Sequence, residues 1–160
     1  MGQHKIDFME KIVEEFTVTL STQGLNAGLL WLNRRVPHRW TGIYRLDDLT
    51  MSNQNIIDKL NETDLGSLAA VPVKDSFCQF TMRDGEFVKQ NTGTDDDVRL
   101  QGHPYKGVVN SYVGLPLTTG GGDVYGTFCH FDLVEREISD DEFQFLQRVA
   151  RILPRYLPRR

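Results

Sequence analysis

Cys129, His130 and Asp132 stand within four positions of one another in the stretch GTFCHFD. Each is a residue type that can ligate a metal, attack an electrophile or anchor a chromophore. The stretch reads as a β-strand, in which successive side chains point to opposite faces. Cys129 and His130 therefore diverge, and they form neither one nucleophile–base pair nor one ligand set. His130 and Asp132 share a face, but two such residues are too few for a closed zinc site. The other cysteine, Cys78, stands at no metal-ligand spacing to Cys129. Cys129 reads as a small buried hydrophobe. With no secretion signal, the two cysteines read as reduced thiols rather than a disulfide framework.

Other segments carry polar groups suited to a small ligand. Arg99 has a planar fork that can hold a carboxylate or phosphate, or equally pair with Asp95, Asp96 or Asp97. His103 precedes Pro104 and can sit over a pocket mouth or in a turn. Tyr44 and Tyr112 offer a ring and a hydroxyl, for lining or for packing. Asp95–Asp97 lacks the alternating ligands, glycine and distal Glu of an EF-hand loop, and reads as a capping or solvated cluster. TTGGGD lacks the Lys-Ser/Thr of a phosphate loop and precedes a strand, so it is a turn.

The elements that must hold these groups follow from periodicity. Met9, Ile12, Val13, Phe16 and Leu20 mark one apolar helix face, predicting a helix over about 7–21 with Asp7 and Glu10 at its start. A second stripe, Leu25, Leu29, Leu32 and Val36, ends at Pro37. Residues 39–46 and 49–57 predict a strand pair turning at Asp47-Asp48. Residues 61–72 sustain no period and read as a loop or a poor helix. Residues 75–85 predict a short helix capped by Asp75 or Ser76 and stopped by Asp84-Gly85. A short strand, EFVKQN, and an irregular stretch over 92–107 follow. Residues 108–117 and 123–133 flank the glycine-rich turn as an antiparallel hairpin. Ser139 and Glu142 form a capping box before a last helix whose inward face would carry Phe143, Leu146, Ala150 and Leu153. Strands that follow one another without crossover helices predict an α+β fold with a largely antiparallel sheet.

The 160 residues suit one domain over 1–160, with its core at about 22–153. Hydrophobic content of 39% and charged content of 25% are ordinary for a soluble globular protein. No apolar run approaches the roughly 20 residues of a membrane span, and the N-terminus has no signal-peptide core. A soluble, cytoplasmic protein is the expectation. The net charge of −4 argues against nucleic acid as a partner. The one basic cluster, Arg148, Arg151, Arg155, Arg159 and Arg160, complements a helix C-terminus.

SYVGLPL, the glycine turn, VYGTFCHFD and ISDDEFQFLQRVARIL together resemble the C-terminal half of a GAF domain, a small sensory module related to PAS domains. The resemblance extends back through TGTDDDVRL, DSFCQF and WTGIYRL, and is weakest over 52–72. It implies a central antiparallel sheet of five or six strands. The first and last helices would lie on one face, and a short helix and loops would cover a pocket on the other. It implies a bacterial, cytoplasmic sensor that binds an unidentified small molecule and dimerises through its terminal helices, either stand-alone or as an isolated domain. The pocket would draw on Tyr44, Cys78, Phe80, Arg99, His103, Tyr112 and His130, with no metal ligands. The cofactor is left unknown. Bilin attachment in the family uses a helical cysteine followed by His, whereas Cys129-His130 lies in a strand. Free methionine-(R)-sulfoxide reductases of this family use several loop cysteines, whereas this chain has two. A thiol-dependent reductase using Cys78 and Cys129 is the enzymatic alternative, and a ligand-free interaction module the third reading.

Overall fold

The computed structural model describes residues 2–62 and 64–158, so Arg159 and Arg160 of the basic cluster lie outside the described residues. The elements run α1 (Gly2–Gln23), α2 (Leu25–Asn33), β1 (Trp40–Asp47), β2 (Thr50–Asp58), β3 (Ala70–Pro72), α3 (Cys78–Asp84), β4 (Phe87–Lys89), β5 (Ser111–Thr118), β6 (Val124–Asp132) and α4 (Asp140–Ile152). Six strands form one antiparallel sheet in the order β3-β2-β1-β6-β5-β4. The fold is α+β.

Register decides which side chains meet. Opposed residues share a face. Tyr44 stands opposite Thr127, and Tyr112 opposite Phe131, so these four face the same way as Cys129. Thr41 stands opposite His130, on the other face. Gly126 lies opposite Arg45, and a Cβ added there would overlap the Tyr44 carbonyl carbon and oxygen. The glycine of the GTFCHFD stretch thus answers to close approach of β1, not to chemistry.

The helix-side core joins Phe16 and Leu20 of α1, Leu29 and Leu32 of α2, Phe128 of β6, and Phe145, Leu146 and Val149 of α4. The stripe on α1 is the one its spacing predicts, but the helix begins at Gly2, so Asp7 is not its cap. Asp7 accepts from Gln3 Nε2 at 2.9 Å inside the first turns. On α4, Phe145 and Val149 are buried with Leu146, while Phe143 and Ala150 sit half-buried at the margin. The apolar stripe of α4 is therefore rotated slightly from the expected one. Half of the capping box forms: Ser139 Oγ accepts from Glu142 N–H at 3.1 Å, while the Glu142 carboxylate pairs with Arg35 at 2.7 Å.

On the other face, residues 59–110 supply a cover. Here the sequence reading missed β3, which pairs with β2 through Val71↔Met51 within the supposed loop. Three residues are too few to display a period of two. α3 ends as expected, at Gly85 in the left-handed region with φ 86°. Ser76 Oγ accepts from Gln79 N–H at 3.2 Å at its start.

Candidate functional site

Between the sheet and this cover lies a cavity of about 50 Å³. β1, β2, β5 and β6 supply Tyr44, Met51, Tyr112, Cys129 and Phe131; the cover supplies Leu68, Val71, Ser76, Phe77, Cys78, Tyr105 and Val109. Five of these are aromatic and none carries a formal charge. A drug-sized ligand site spans roughly 300–1,000 Å³, so this cavity is closed down to a few heavy atoms.

Two of its polar groups, Cys78 and Tyr112, belong to one hydrogen-bonded chain that ends on Thr127 and Thr81 behind the wall. Thr81 Oγ1 bonds the Phe77 carbonyl at 3.4 Å and lies 3.2 Å from the Tyr112 hydroxyl. Cys78 Sγ lies 3.5 Å from that hydroxyl and 3.2 Å from Thr127 Oγ1. Because Thr81 donates to a carbonyl, the consistent direction runs Thr127 to Cys78 to Tyr112 to Thr81. Separately, Tyr44 donates to the Leu68 carbonyl at 2.7 Å, tying the cover to β1. Burial pushes both thiols up, well above the usual range for Cys129, and keeps them neutral. Burial likewise raises the Tyr44 and Tyr112 phenols.

Of the residues proposed from sequence, the structure brings Tyr44, Cys78 and Tyr112 together at the cavity. Phe80 and His103 stand one layer behind it: Phe80 packs on Phe87 at 5.1 Å, and the His103 ring lies 4.6 Å from Phe77. Burial holds the His103 imidazole below its usual range. Arg99 points elsewhere. It bonds Asp97 at 2.6 Å and Asp84 at 2.8 Å, and its guanidinium lies over the Phe87 ring at 4.6 Å. The salt-bridge reading of its segment is the one observed. Lys89 joins the cluster, contacting Asp95 at 3.1 Å and Asp97 at 2.9 Å. The Asp95–Asp97 run caps and pairs: Asp97 Oδ1 accepts from Arg99 N–H, and Asp95 Oδ1 from Asp97 N–H.

His130 is on the opposite face from the cavity, fully buried beneath the helix layer. Its Nδ1 meets Thr41 Oγ1 at 2.6 Å, and that oxygen accepts from Asn33 Nδ2 at 2.8 Å. The Asn33 side chain in turn accepts from Lys59 Nζ at 2.8 Å. The His38 ring lies 5.9 Å from that of His130. Among the described residues, three of the four ring nitrogens of this pair have no hydrogen-bond partner. Burial drives both imidazoles towards the neutral form, His38 to about 4.

Phe131, Met51, Phe77 and Tyr105 line the cavity without having been proposed, and Cys129, named only as a thiol of the reductase alternative, lines it too. Strand parity places Cys129 and Phe131 with Tyr44 once the β1–β6 register is known, and that signal excludes His130.

Solved structures share this architecture. The GAF domain of an Acinetobacter phosphoenolpyruvate-protein phosphotransferase superposes with a TM-score of 0.68 at 17% identity, covering 98% of this chain and 94% of that one. A type II free methionine-R-sulfoxide reductase from Thermoplasma acidophilum gives 0.63 at 15%, covering 88% and 93%. A phycocyanobilin-bound GAF domain from a cyanobacterial phytochrome gives 0.66 at 16%, covering 91% of each. At such identities the likeness is one of fold. No curated protein matches this sequence. The family profile of the GAF domain matches residues 9–153, which hold the whole sheet, α2 to α4 and most of α1, and the chain belongs to the GAF domain family.

Proposed function

We propose that residues 1–160 form one cytoplasmic GAF sensor that holds a small molecule between sheet and cover and signals through paired terminal helices. The carrying observation is the cavity beneath the cover, lined by aromatic rings and tied down beside Leu68 by the Tyr44–Leu68 and Asn53–Ala69 hydrogen bonds. A ligand acts by preferring one arrangement of the cover. The same sheet whose one face lines the cavity packs its other face on α2 and α4, and α1 packs on those two helices, so strand shifts reach both terminal helices through that layer. α1 leaves Ile6, Phe8 and Val18 more than half exposed, which suits a homodimer or a signalling partner on that side.

The cavity's size favours a second reading, a module whose site is filled by its own side chains. The thiol-reductase alternative has less support, because neither buried neutral thiol is poised as a nucleophile. Native mass spectrometry of the purified protein tests the sensor. A small-molecule adduct on a dimer is the expected result. A bare monomer that no metabolite stabilises would favour the filled-site reading.

A further inference from the structure

We propose that the cavity's ligand is an uncharged aromatic molecule with at most one N–H or O–H group, of the indole or phenol class, admitted by withdrawal of the Leu68 side chain. The inference rests on the sensor reading above and names the chemistry of that site.

Charge is excluded by what surrounds the cavity. Among the described residues, no Asp, Glu, Lys, Arg or His lines it. Arg99, the cation that the sequence offered, is held by Asp97 and Asp84 and lies over the Phe87 ring, which does not line the cavity. An anion or zwitterion entering here would be desolvated without a partner, which the interior of a protein penalises heavily. What remains is ring surface: Tyr44, Phe77, Tyr105, Tyr112 and Phe131, with the Met51 thioether. Flat aromatic ligands gain edge-to-face and sulfur–ring contacts on such walls.

The polar lining sets the one hydrogen-bonding group. Tyr44 donates to the Leu68 carbonyl and Ser76 to the Val73 carbonyl. The chain from Thr127 through Cys78 and Tyr112 to Thr81 commits four more protons, and the Tyr105 hydroxyl and Cys129 thiol stand outside it. Most of the remaining capacity on the walls is acceptor capacity, which one N–H or O–H group on the ligand matches.

Size points to the entrance. A benzene-sized guest occupies a cavity of roughly 150 Å³, well above the present 50 Å³. The cover is not uniform in what it can release. Residues 91–107 are stapled by Thr92 Oγ1 to the Val109 carbonyl, by Lys106 Nζ to the Thr92 and Gly93 carbonyls, and by the Lys89–Arg99–aspartate cluster. By contrast, among the described residues of 59–69, only Leu65 and Leu68 pack on the cluster, and most of the others are exposed. Leu68 lines the cavity and is only half-buried. Swinging its side chain outward enlarges the site while its carbonyl stays on Tyr44.

The test is a set of NMR titrations of the full chain and of Leu68→Ala with indole, phenol, cyclic GMP and methionine sulfoxide. Indole or phenol should shift the Tyr44, Tyr112 and Phe131 resonances, and Leu68→Ala should bind indole at least threefold tighter with a near-native melting curve. Should cyclic GMP or methionine sulfoxide shift those resonances in place of the neutral probes, the ligand class is wrong and the sensor reading survives. If no probe of either kind perturbs them in either protein, both the class and the sensor reading fall.

Discussion

The two faces of the sheet bury clusters of similar chemistry under different kinds of element. Behind the helix face, Phe16, Phe128 and Phe145 meet side chains projected at helical spacing from three helices, and the groove on that side lies away from the sheet, between α1 and α4. Behind the cover face, aromatic rings meet short turns and loops, and a cavity remains. Helices present their side chains in continuous ridges that fit a twisted sheet. Loops must first satisfy their own backbone groups, so they place side chains where hydrogen bonding allows. The difference locates plasticity on the cover side.

Substitutions on the helix side should therefore cost most. Phe128→Ala removes a ring that is 1% exposed, and urea denaturation should show a loss of about 3–5 kcal/mol. A loss below about 1 kcal/mol would mean that this layer repacks as readily as the cover, and the contrast would fail.

Acid should also attack the helix side first. His38 and His130 are buried neutral, so the unfolded chain binds protons that the folded one refuses. Their contribution is fully present above the ordinary value of 6.5 and is lost as pH falls towards about 4 for His38. The slope is about 1.4 kcal/mol per pH unit for each histidine. Lys59 and Arg136 oppose protonation of His38, and Asp132 favours it. Stability measured from pH 7 to pH 4.5 should show this fall, and His38→Phe should flatten part of it. An unchanged slope in that variant would assign the acid loss to other groups.

Within the cover, the stapled half should outlast the loose half. Arg99→Ala breaks the bonds to Asp97 and Asp84, at about 1–2 kcal/mol, and should speed amide exchange over residues 91–107. Exchange that stays slow there would show that the Thr92 and Lys106 bonds hold the loop alone. Leu68→Ala should cost the least, about 0.5–1 kcal/mol in thermal melts, because its side chain is half-buried beside existing space. A cost equal to that of Phe128→Ala would erase the distinction between the faces.

Much of this molecule follows from local chemistry. The α1 stripe, the Ser139–Glu142 cap, Gly85 and the β5–β6 hairpin each express spacing over a few residues, and the structure contains them all. The same alternation separated Cys129 from His130 and ruled them out as a pair. Tertiary structure alone decided the rest. Alternation says that two side chains part company, but not which one meets the cavity; that required the β1–β6 register and the placing of the cover. Arg99 carried one sequence signal for two partners, and only the approach of Asp84 and the Phe87 ring chose between them. β3 is a strand because β2 offers it an edge, not because Ala70–Pro72 prefers one. Periodicity records that a side chain is buried; what it is buried against depends on segments far away in the chain, and on how completely they fill the space between them.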